Sequence, residues 1–128
     1  MNFHEDDRAQ RLLDIFPAVN GQVNISYVNS TEHVVAWHRH QEQIDYWCCI
    51  KGSFKVGLYD PIHQILRWEY LSDKNLRTIQ INPPWWHGYK ALEPNSIMLY
   101  YLTEKYDPTD EWKVLPGYFG EDWSTISQ

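Results

Sequence analysis

Two histidines and an aspartate lie close together before the middle of this chain. His38 and His40 are separated by one residue, and Asp45 follows five positions after His40. On a β-strand, residues two positions apart project from the same face, so both imidazoles would point into one site. Imidazole titrates near neutral pH and is also a common metal ligand. This stretch is therefore a candidate for acid–base chemistry or for a metal site.

Two later segments add groups of the same kind. His87 follows a proline-rich turn at positions 83–84, and Tyr100 lies in an aromatic run with Tyr106 six residues further on. A tyrosine hydroxyl can donate a proton, and the rings of Trp47 and Tyr106 can stack on a sugar or a base. Each of these side chains could equally belong to a packed core, because aromatic residues also favour strands.

Four of these residues have the composition of a metal site. His38, His40, Asp45 and His87 offer three imidazoles and one carboxylate, a set that suits divalent iron, manganese, nickel or zinc. Two other interpretations stay open at this point. The histidines could simply hydrogen-bond within a core, or one of them could act as a general base without any metal.

The size and charge of the chain exclude several classes of protein. It has 128 residues, 43% of them hydrophobic and 22% charged, which is typical of one globular domain. The formal net charge of -6 argues against nucleic-acid binding, which needs a basic face. No apolar run is long enough to span a membrane, and the acidic start is not a signal peptide, so we expect a cytoplasmic protein. Adjacent Cys48 and Cys49 would point to opposite faces of a strand and predict reduced, packed thiols.

Short alternating runs separated by turn residues predict an all-β sandwich or small barrel. Residues 1–16 carry a pattern that fits a short helix or an arm, which Pro17 would end. Gly52 separates two strong runs and indicates a hairpin. The tail from Tyr106 onward is rich in aromatic residues, so we expect it to pack on the barrel or on a partner. The expected strands are 23–28, 33–40, 44–50, 54–59, 65–71, 76–81 and 97–103.

The candidate site residues resemble two sequence motifs of the cupin superfamily. The order His38, His40, Asp45 and Gly52 is similar to the first motif, and the proline-rich turn ending in His87 is similar to the second. More narrowly, residues 33–112 resemble the dTDP-4-dehydrorhamnose 3,5-epimerase family and its short sugar-nucleotide relatives. The segments that carry this likeness are 43–60, 71–75, 81–89 and 99–108.

The resemblance implies a cupin double-stranded β-helix, or jelly roll, that forms a single domain over residues 1–128. Within it we expect a short N-terminal helix or arm at 1–20, a barrel core at 23–104 and a tail at 105–128. The implied activity is that of a sugar-nucleotide epimerase or isomerase, which removes a proton next to the keto group of a dTDP-4-keto-6-deoxyhexose. The resemblance also implies no cofactor. We further expect a homodimer, because a small jelly roll leaves exposed sheet edges that a second subunit can cover.

By position, the resemblance assigns the general base to His38 and the general acid to Tyr100. Around them we expect substrate contacts from His40, Asp45, Trp47, His87, Tyr106 and Arg39, the last of these to a diphosphate.

The chain departs from the family pattern at several places, two of which concern the proposed base. Asp45 stands where a lysine is common, and Pro116 or its neighbours stand where the family has the aspartate that partners the base. His38 would then need another orienting group, for which Asp45 is a candidate. The alternatives are a metal-dependent cupin enzyme, with one divalent ion on His38, His40, Asp45 and His87, and a cupin that binds a carbohydrate or nucleotide without catalysis.

Overall fold

Alternating apolar and polar side chains produce eleven β-strands in the described part of the chain. The structure is a computed structural model that describes residues 2–13, 15–16 and 20–124. A short 3₁₀ turn, Pro108–Asp110, precedes the last strand. None of the described residues belongs to a helix long and apolar enough to cross a membrane. The strands are β1 (Asn2–Glu5), β2 (Gln10–Leu13), β3 (Gln22–Val28), β4 (Val34–Arg39), β5 (Asp45–Lys51), β6 (Ser53–Asp60), β7 (Ile65–Ser72), β8 (Thr78–Ile81), β9 (Trp86–Ala91), β10 (Ser96–Leu102) and β11 (Trp112–Lys113).

Strands β3 to β11 form two antiparallel sheets that face each other. The four-stranded sheet has the order β3–β10–β5–β8, and the five-stranded sheet has the order β11–β4–β9–β6–β7. Buried side chains from both sheets, among them Trp47, Phe54, Leu71 and Met98, form the core between them. This arrangement confirms the predicted all-β jelly roll.

A tight turn at Gly52 joins β5 to β6 and confirms the predicted hairpin. Gly52 has a φ of 77°, a left-handed conformation that residues with a side chain avoid, and a Cβ there would overlap the hydroxyl of Ser96. The seven predicted strands correspond to β3 through β8 and to β10, with small differences at their ends. Strand β9 is missing from the prediction, because the two prolines before it indicate a break and its own residues do not alternate.

The N-terminal segment forms a hairpin arm. Of the two structures predicted for it, a short helix or an arm, the helix is therefore wrong. Strands β1 and β2 pair in antiparallel register, with Asn2 opposite Leu13. The carboxylate of Asp6 accepts hydrogen bonds from the backbone N–H groups of Arg8 and Ala9, which stabilises the turn between the two strands. Parts of the predicted arm and tail, at residues 1, 14, 17–19 and 125–128, lie outside the described residues.

Strand β3 has the predicted two-residue period, but it turns its apolar side chains outward. Val23, Ile25 and Tyr27 are 61%, 48% and 69% exposed. Asn24 and Ser26 alternate with them and face the space between the sheets, where Asn24 lines a cavity and Ser26 bonds to a residue of β10. The strand therefore places polar groups inside the barrel and an apolar strip outside it.

The described part of the C-terminal tail packs on the outer face of the five-stranded sheet. Trp123 is buried, and its ring contacts those of Trp37 and Trp68. The ring of Phe119 stacks on Tyr59 with their centroids 3.9 Å apart. Several of the chain's many aromatic residues are thus used to cover this sheet with its own tail.

The two neighbouring cysteines are buried and free. Burial raises the pKa of both thiols, and it raises the pKa of Cys49 to about 11. Both thiols are therefore protonated at neutral pH and unreactive, in agreement with the packing role predicted for Cys48 and Cys49.

Candidate active site

A cavity of about 310 Å³ lies between the two sheets. Side chains from β4 and β9 form one wall, and side chains from β3, β5 and β10 form the other. Seven of the eight predicted site residues line this cavity: His38, His40, Asp45, Trp47, His87, Tyr100 and Tyr106.

Arg39, the eighth predicted residue, lies on the other face of its strand. His38 and His40 face the cavity, so strand alternation turns Arg39 outward. Its guanidinium carbon lies 4.3 Å from the ring centre of Trp112 and 5.4 Å from that of Trp86. Arg39 therefore does not line this cavity, and the contact with a diphosphate expected for it would have to lie outside the cavity.

The imidazole of His38 faces a carboxylate that the sequence does not point to. Nδ1 of His38 lies 3.4 Å from Oε2 of Glu111, whose side chain is 13% exposed. Glu111 reaches this position because it immediately precedes β11, which pairs with β4. Burial lowers the pKa of His38, and the negative charge of Glu111 opposes that shift. His38 is therefore neutral at pH 7, and Glu111 is placed to stabilise the imidazolium that forms when it takes up a proton.

Asp45 contacts His87 instead of His38. Its Oδ2 lies 3.7 Å from Nε2 of His87, and its two oxygens accept hydrogen bonds from Gln43 at 2.7 Å and from the indole of Trp47 at 3.1 Å. The group that faces His38 is therefore Glu111, and the orienting role suggested for Asp45 does not fit these contacts. Burial lowers the pKa of His87 to about 4, although the charge of Asp45 acts in the opposite direction.

The segment that carries Glu111 also positions His40. Nδ1 of His40 lies 2.6 Å from the backbone carbonyl oxygen of Asp110. A carbonyl oxygen can only accept, so Nδ1 carries the hydrogen and Nε2 of the neutral ring is an acceptor. The Asp110 carboxylate accepts hydrogen bonds from three consecutive backbone N–H groups at 41–43, in the loop between β4 and β5. Neighbouring residues of one segment thus hold both histidines of the first motif.

Tyr100 enters the cavity from the four-stranded sheet. It is paired in register with Trp47 of β5 and Asn24 of β3. The hydroxyl of Ser26 donates a hydrogen bond to its phenol oxygen at 3.0 Å, so the phenol hydrogen is available for a different acceptor. A molecule in the cavity would therefore lie between Tyr100 on one sheet and His38 on the other.

Comparison of the sequence with models of known families shows which family has this arrangement. Residues 14–117 match the family model described as FdtA: WxcM-like, C-terminal. The chain belongs to this family. The match covers most of the FdtA/WxcM-like chain and includes the strands that line the cavity.

Two curated relatives of the FdtA/WxcM-like chain carry the names of epimerases. The chain is 41% identical over 85 residues to the probable low-salt glycan biosynthesis epimerase Agl13 of Haloferax volcanii, an alignment that covers 60% of the chain and 54% of the relative. It is 27% identical over 95 residues to the dTDP-4-dehydrorhamnose 3,5-epimerase of Mycolicibacterium smegmatis, covering 67% of the chain and 45% of the relative. The chain therefore spans about half the length of the curated relatives it matches.

The fold is also similar to that of a solved sugar epimerase. The crystal structure of dTDP-4-dehydrorhamnose 3,5-epimerase from Bacillus anthracis, with TDP and PPi bound, matches with a TM-score of 0.83 and 20% identity. The match covers 98% of this chain and 83% of that one. At this identity the likeness shows the shared jelly roll, and together with the family match it confirms the predicted relationship to epimerase-like cupins.

Three residues of the FdtA/WxcM-like site form a compact group that could hold a metal ion. One potential ligand atom from each of His40, Asp45 and His87 lies within 4.8 Å of the others, and all three residues are buried. Two imidazoles and one carboxylate are a donor set that zinc or iron accepts. His38, the fourth predicted ligand, is outside this group and faces Glu111. Both oxygens of Asp45 already accept hydrogen bonds, so a metal ion would have to compete with those donors.

The sequence analysis misses three residues that shape this site: Ser26, Asp110 and Glu111. Each acts through a contact between segments far apart in the chain, namely β3 with β10 and the 3₁₀ turn with β4 and its following loop. One signal for the acidic pair was present, since both residues follow Pro108 at the end of the segment that resembles the epimerases.

Proposed function

We propose that this chain is an epimerase or ketoisomerase of a nucleotide-activated 4-keto-6-deoxyhexose that works by proton abstraction next to the keto group, without a metal ion. The observation that carries the proposal is the placement of His38 and Tyr100 on opposite walls of one cavity. Inversion at carbon requires a base on one face of the sugar and a proton donor on the other. The epimerase names of the curated relatives support the same reaction class.

His38 has the properties that the base requires. The hydrogen next to a ketone is a weak acid, so its removal needs a base that is deprotonated at neutral pH yet basic enough to accept the proton. Burial keeps His38 neutral, and the carboxylate of Glu111 offsets part of that effect. Removing the proton leaves an enolate, and the imidazolium formed at the same time is stabilised by Glu111.

Tyr100 is the proposed acid, and the buried polar groups between the walls are proposed to bind the keto end of the sugar. His40 and His87 lie with their ring centroids 5.3 Å apart on the floor of the cavity, beside Asp45. The neutral imidazole of His87 can donate a hydrogen bond to an oxygen on which negative charge develops, and a dry site strengthens this interaction. His40 has its Nδ1–H bonded to the Asp110 carbonyl, so its Nε2 can accept a hydrogen bond from a hydroxyl of the sugar. The indole of Trp47 donates a hydrogen bond to Asp45 and therefore fixes the position of that carboxylate beside the two histidines.

Tyr106 is proposed to meet the nucleotide end of the substrate. It lines the same cavity but is 57% exposed, so its ring lies at the opening. An exposed aromatic ring at the mouth of a polar cavity can stack on a sugar or a nucleobase. The TDP in the solved Bacillus anthracis epimerase supports a thymidine nucleotide as the first carrier to test.

We also propose that two copies of the chain associate through β3. This strand lies at the edge of its sheet in the described part of the chain, and it exposes Val23, Ile25 and Tyr27. An apolar edge strand pairs readily with a second strand, and two identical edges can pair with each other around a two-fold axis. Sedimentation should give twice the mass of one chain, and Ile25→Lys should yield the single-chain mass.

The reaction is tested by proton NMR of dTDP-4-keto-6-deoxyglucose in deuterated buffer with chelator-treated protein. The expected result is loss of the proton signal at carbon 3 or carbon 5, which identifies the position of enolisation. His38→Ala should abolish the exchange. His63→Ala is the matched control, because that histidine bonds to Asp60 on the surface and does not line the cavity. Absence of exchange with the wild-type protein would refute the proposed reaction on this substrate.

The grouping of His40, Asp45 and His87 favours one second candidate, a metal-dependent cupin enzyme. It predicts a stoichiometric divalent ion in the untreated protein and loss of that ion in His40→Ala and Asp45→Asn. It also predicts that chelation removes activity, whereas the proposed epimerase keeps its exchange activity after chelation. Nucleotide-sugar binding without exchange and without metal would instead identify a non-catalytic binding cupin.

A further inference from the structure

Ser26 bonds to the proposed acid from outside the main cavity, and this contact suggests a route for protons. We propose that Ser26 is a positioning residue that relays a proton from a second, surface-open cavity to Tyr100, and so restores the acid after each turnover. The inference rests on the proposed function, since it concerns the same acid step.

The geometry of β3 places the Ser26 hydroxyl between the two cavities. Its Oγ donates to the phenol oxygen of Tyr100 at 3.0 Å. Ser26 also lines a separate, open cavity on the surface, together with Asn29, Ser30 and His33, whereas Tyr100 lines the main cavity. One hydroxyl thus connects the phenol oxygen of Tyr100 to a second space, outside the main cavity, whose polar lining can hold water.

Tyr89 extends the same connection. Tyr89, on β9, lines both cavities. Burial raises the pKa of the Tyr89 phenol, and its contact with the Ser26 hydroxyl opposes that rise. Tyr89 is thus a second phenol beside the hydrogen-bonded pair Ser26 and Tyr100, and a phenol can give a proton to a neighbouring hydroxyl.

Such a route would return a proton to Tyr100 while a sugar still lies against it in the main cavity. When Tyr100 protonates the carbanionic carbon, its O–H bond breaks and the phenolate oxygen keeps the electron pair. The Ser26 proton can then move to that oxygen along the existing hydrogen bond, while Ser26 takes a proton from water in the surface cavity or from Tyr89. The proton abstracted by His38 leaves to solvent, so protons and charge balance over the cycle.

The orientation of the hydrogen bond supports catalysis in a second way. Ser26 donates to Tyr100, so the phenol must direct its own hydrogen elsewhere, and the main cavity lies on that side. Without Ser26 the phenol could rotate and lose this orientation. The side chains directly before and after Ser26 on β3, Ile25 and Tyr27, point outward and cannot take its place.

The test compares Ser26→Ala with Ser26→Thr, which keeps the hydroxyl, and with Ser30→Ala, which removes another hydroxyl from the surface cavity. Each variant is assayed with dTDP-4-keto-6-deoxyglucose for deuterium uptake, which needs only His38, and for product formation, which also needs Tyr100. For Ser26→Ala we expect product formation to fall about tenfold, the size expected for one lost hydrogen bond, with deuterium uptake and KM unchanged. The other two variants should stay within about twofold of wild type.

The solvent isotope effect on product formation gives a readout that a purely structural role would not change. In mixtures of H2O and D2O, the wild-type rate should curve with deuterium fraction because several protons move, and the Ser26→Ala rate should vary linearly. A Ser26→Ala variant with wild-type product formation, or with both rates reduced in parallel, would overturn the relay. A wild-type protein with no deuterium uptake would overturn the proposed function itself, and the relay with it.

Discussion

Glu111 lies 3.4 Å from Nδ1 of His38, in the position from which a carboxylate can orient a catalytic imidazole. The contact exists because two residues of β11 pair with β4 and bring the end of the 3₁₀ segment beside the first histidine. Glu111 therefore places a carboxylate beside His38, although Pro116 or its neighbours stand where the resemblance would put the aspartate. The same segment holds His40 through the backbone of Asp110, so one stretch of chain positions both histidines.

Replacing Glu111 by Gln should lower the rate of deuterium exchange at pH 7 by at least about tenfold, because the imidazolium of His38 loses its counter-charge. The acid limb of the pH–rate profile should also move to lower pH. Burial lowers the pKa of His38 and the Glu111 charge raises it, so removing that charge leaves the lowering unopposed. The measurement is the exchange rate between pH 4.5 and 8 with about half-unit steps.

Lys113→Gln is the matched control for this charge effect. The positive charge of Lys113 lowers the pKa of His38, so its removal should move the acid limb in the opposite direction, to higher pH. If both variants move the limb in the same direction, or if neither moves it, electrostatic tuning of His38 by this segment is excluded.

Buried His87 should make the fold less stable as the pH falls from about 6.5 towards 4. Its pKa is about 4 in the folded chain, below the ordinary value of 6.5, so the unfolded chain binds the proton first across that interval. Above pH 6.5 the neutral His87 makes its full contribution to the free energy of unfolding, and on the order of 3 kcal/mol of that free energy is lost by pH 4. Burial also lowers the pKa of His38, which adds to the loss in the same direction. Urea unfolding at a series of pH values measures this slope.

His87→Gln should flatten that pH dependence, since glutamine does not titrate, even if the variant is less stable at pH 7. His33→Gln should keep the wild-type slope because its side chain is exposed. An unchanged slope in His87→Gln would show that the acid sensitivity arises at other residues.

Local patterns predicted most of the sheet, but not the pairings that complete it. Alternation and turn residues identify β3 to β8 and β10, whereas the two residues of β11 are too few to show any period. The arm was open to two interpretations because Leu12 and Leu13 suit a helical face, and the hydrogen bonds of Asp6 decide for a turn. Strand β3 shows that a two-residue period of apolar side chains predicts a strand but does not reveal which face of the strand is buried.

The residues of the site likewise divide into those that local sequence patterns predict and those that strand pairing brings in. His38 and His40 share a face because of their spacing, so the sequence alone predicts that they act together. Glu111 and Ser26 reach the site only through strand pairing across more than 70 residues of sequence, which no local pattern contains. Arg39 shows the converse, because its neighbours in sequence line the cavity while alternation turns it outward to Trp112.

Trp123→Ala should lower the free energy of unfolding by about 3 kcal/mol, because it removes a large buried ring and leaves a void between sheet and tail. The ring lies against Trp37 and Trp68, and its indole donates to Glu121 at 2.7 Å. Chemical unfolding measures the change. Leu115→Ala is the control, since that side chain is 80% exposed and should change stability by less than about 0.5 kcal/mol. Equal stability of the two variants would show that the tail does not stabilise the fold.

Tyr100→Phe should separate the two halves of the proposed reaction. Phenylalanine keeps the ring in place but has no proton to donate, so product formation should fall by about 100-fold or more while deuterium uptake at the enolised carbon continues. His38→Ala should abolish both rates. Tyr101→Phe is the matched control, because the neighbouring phenol faces away from the cavity and donates to the backbone carbonyl of Asn20. Proton NMR in deuterated buffer measures both rates in one sample. Wild-type product formation by Tyr100→Phe would mean that a different group delivers the proton, and loss of both rates with retained nucleotide binding would mean that Tyr100 acts on the abstraction step instead.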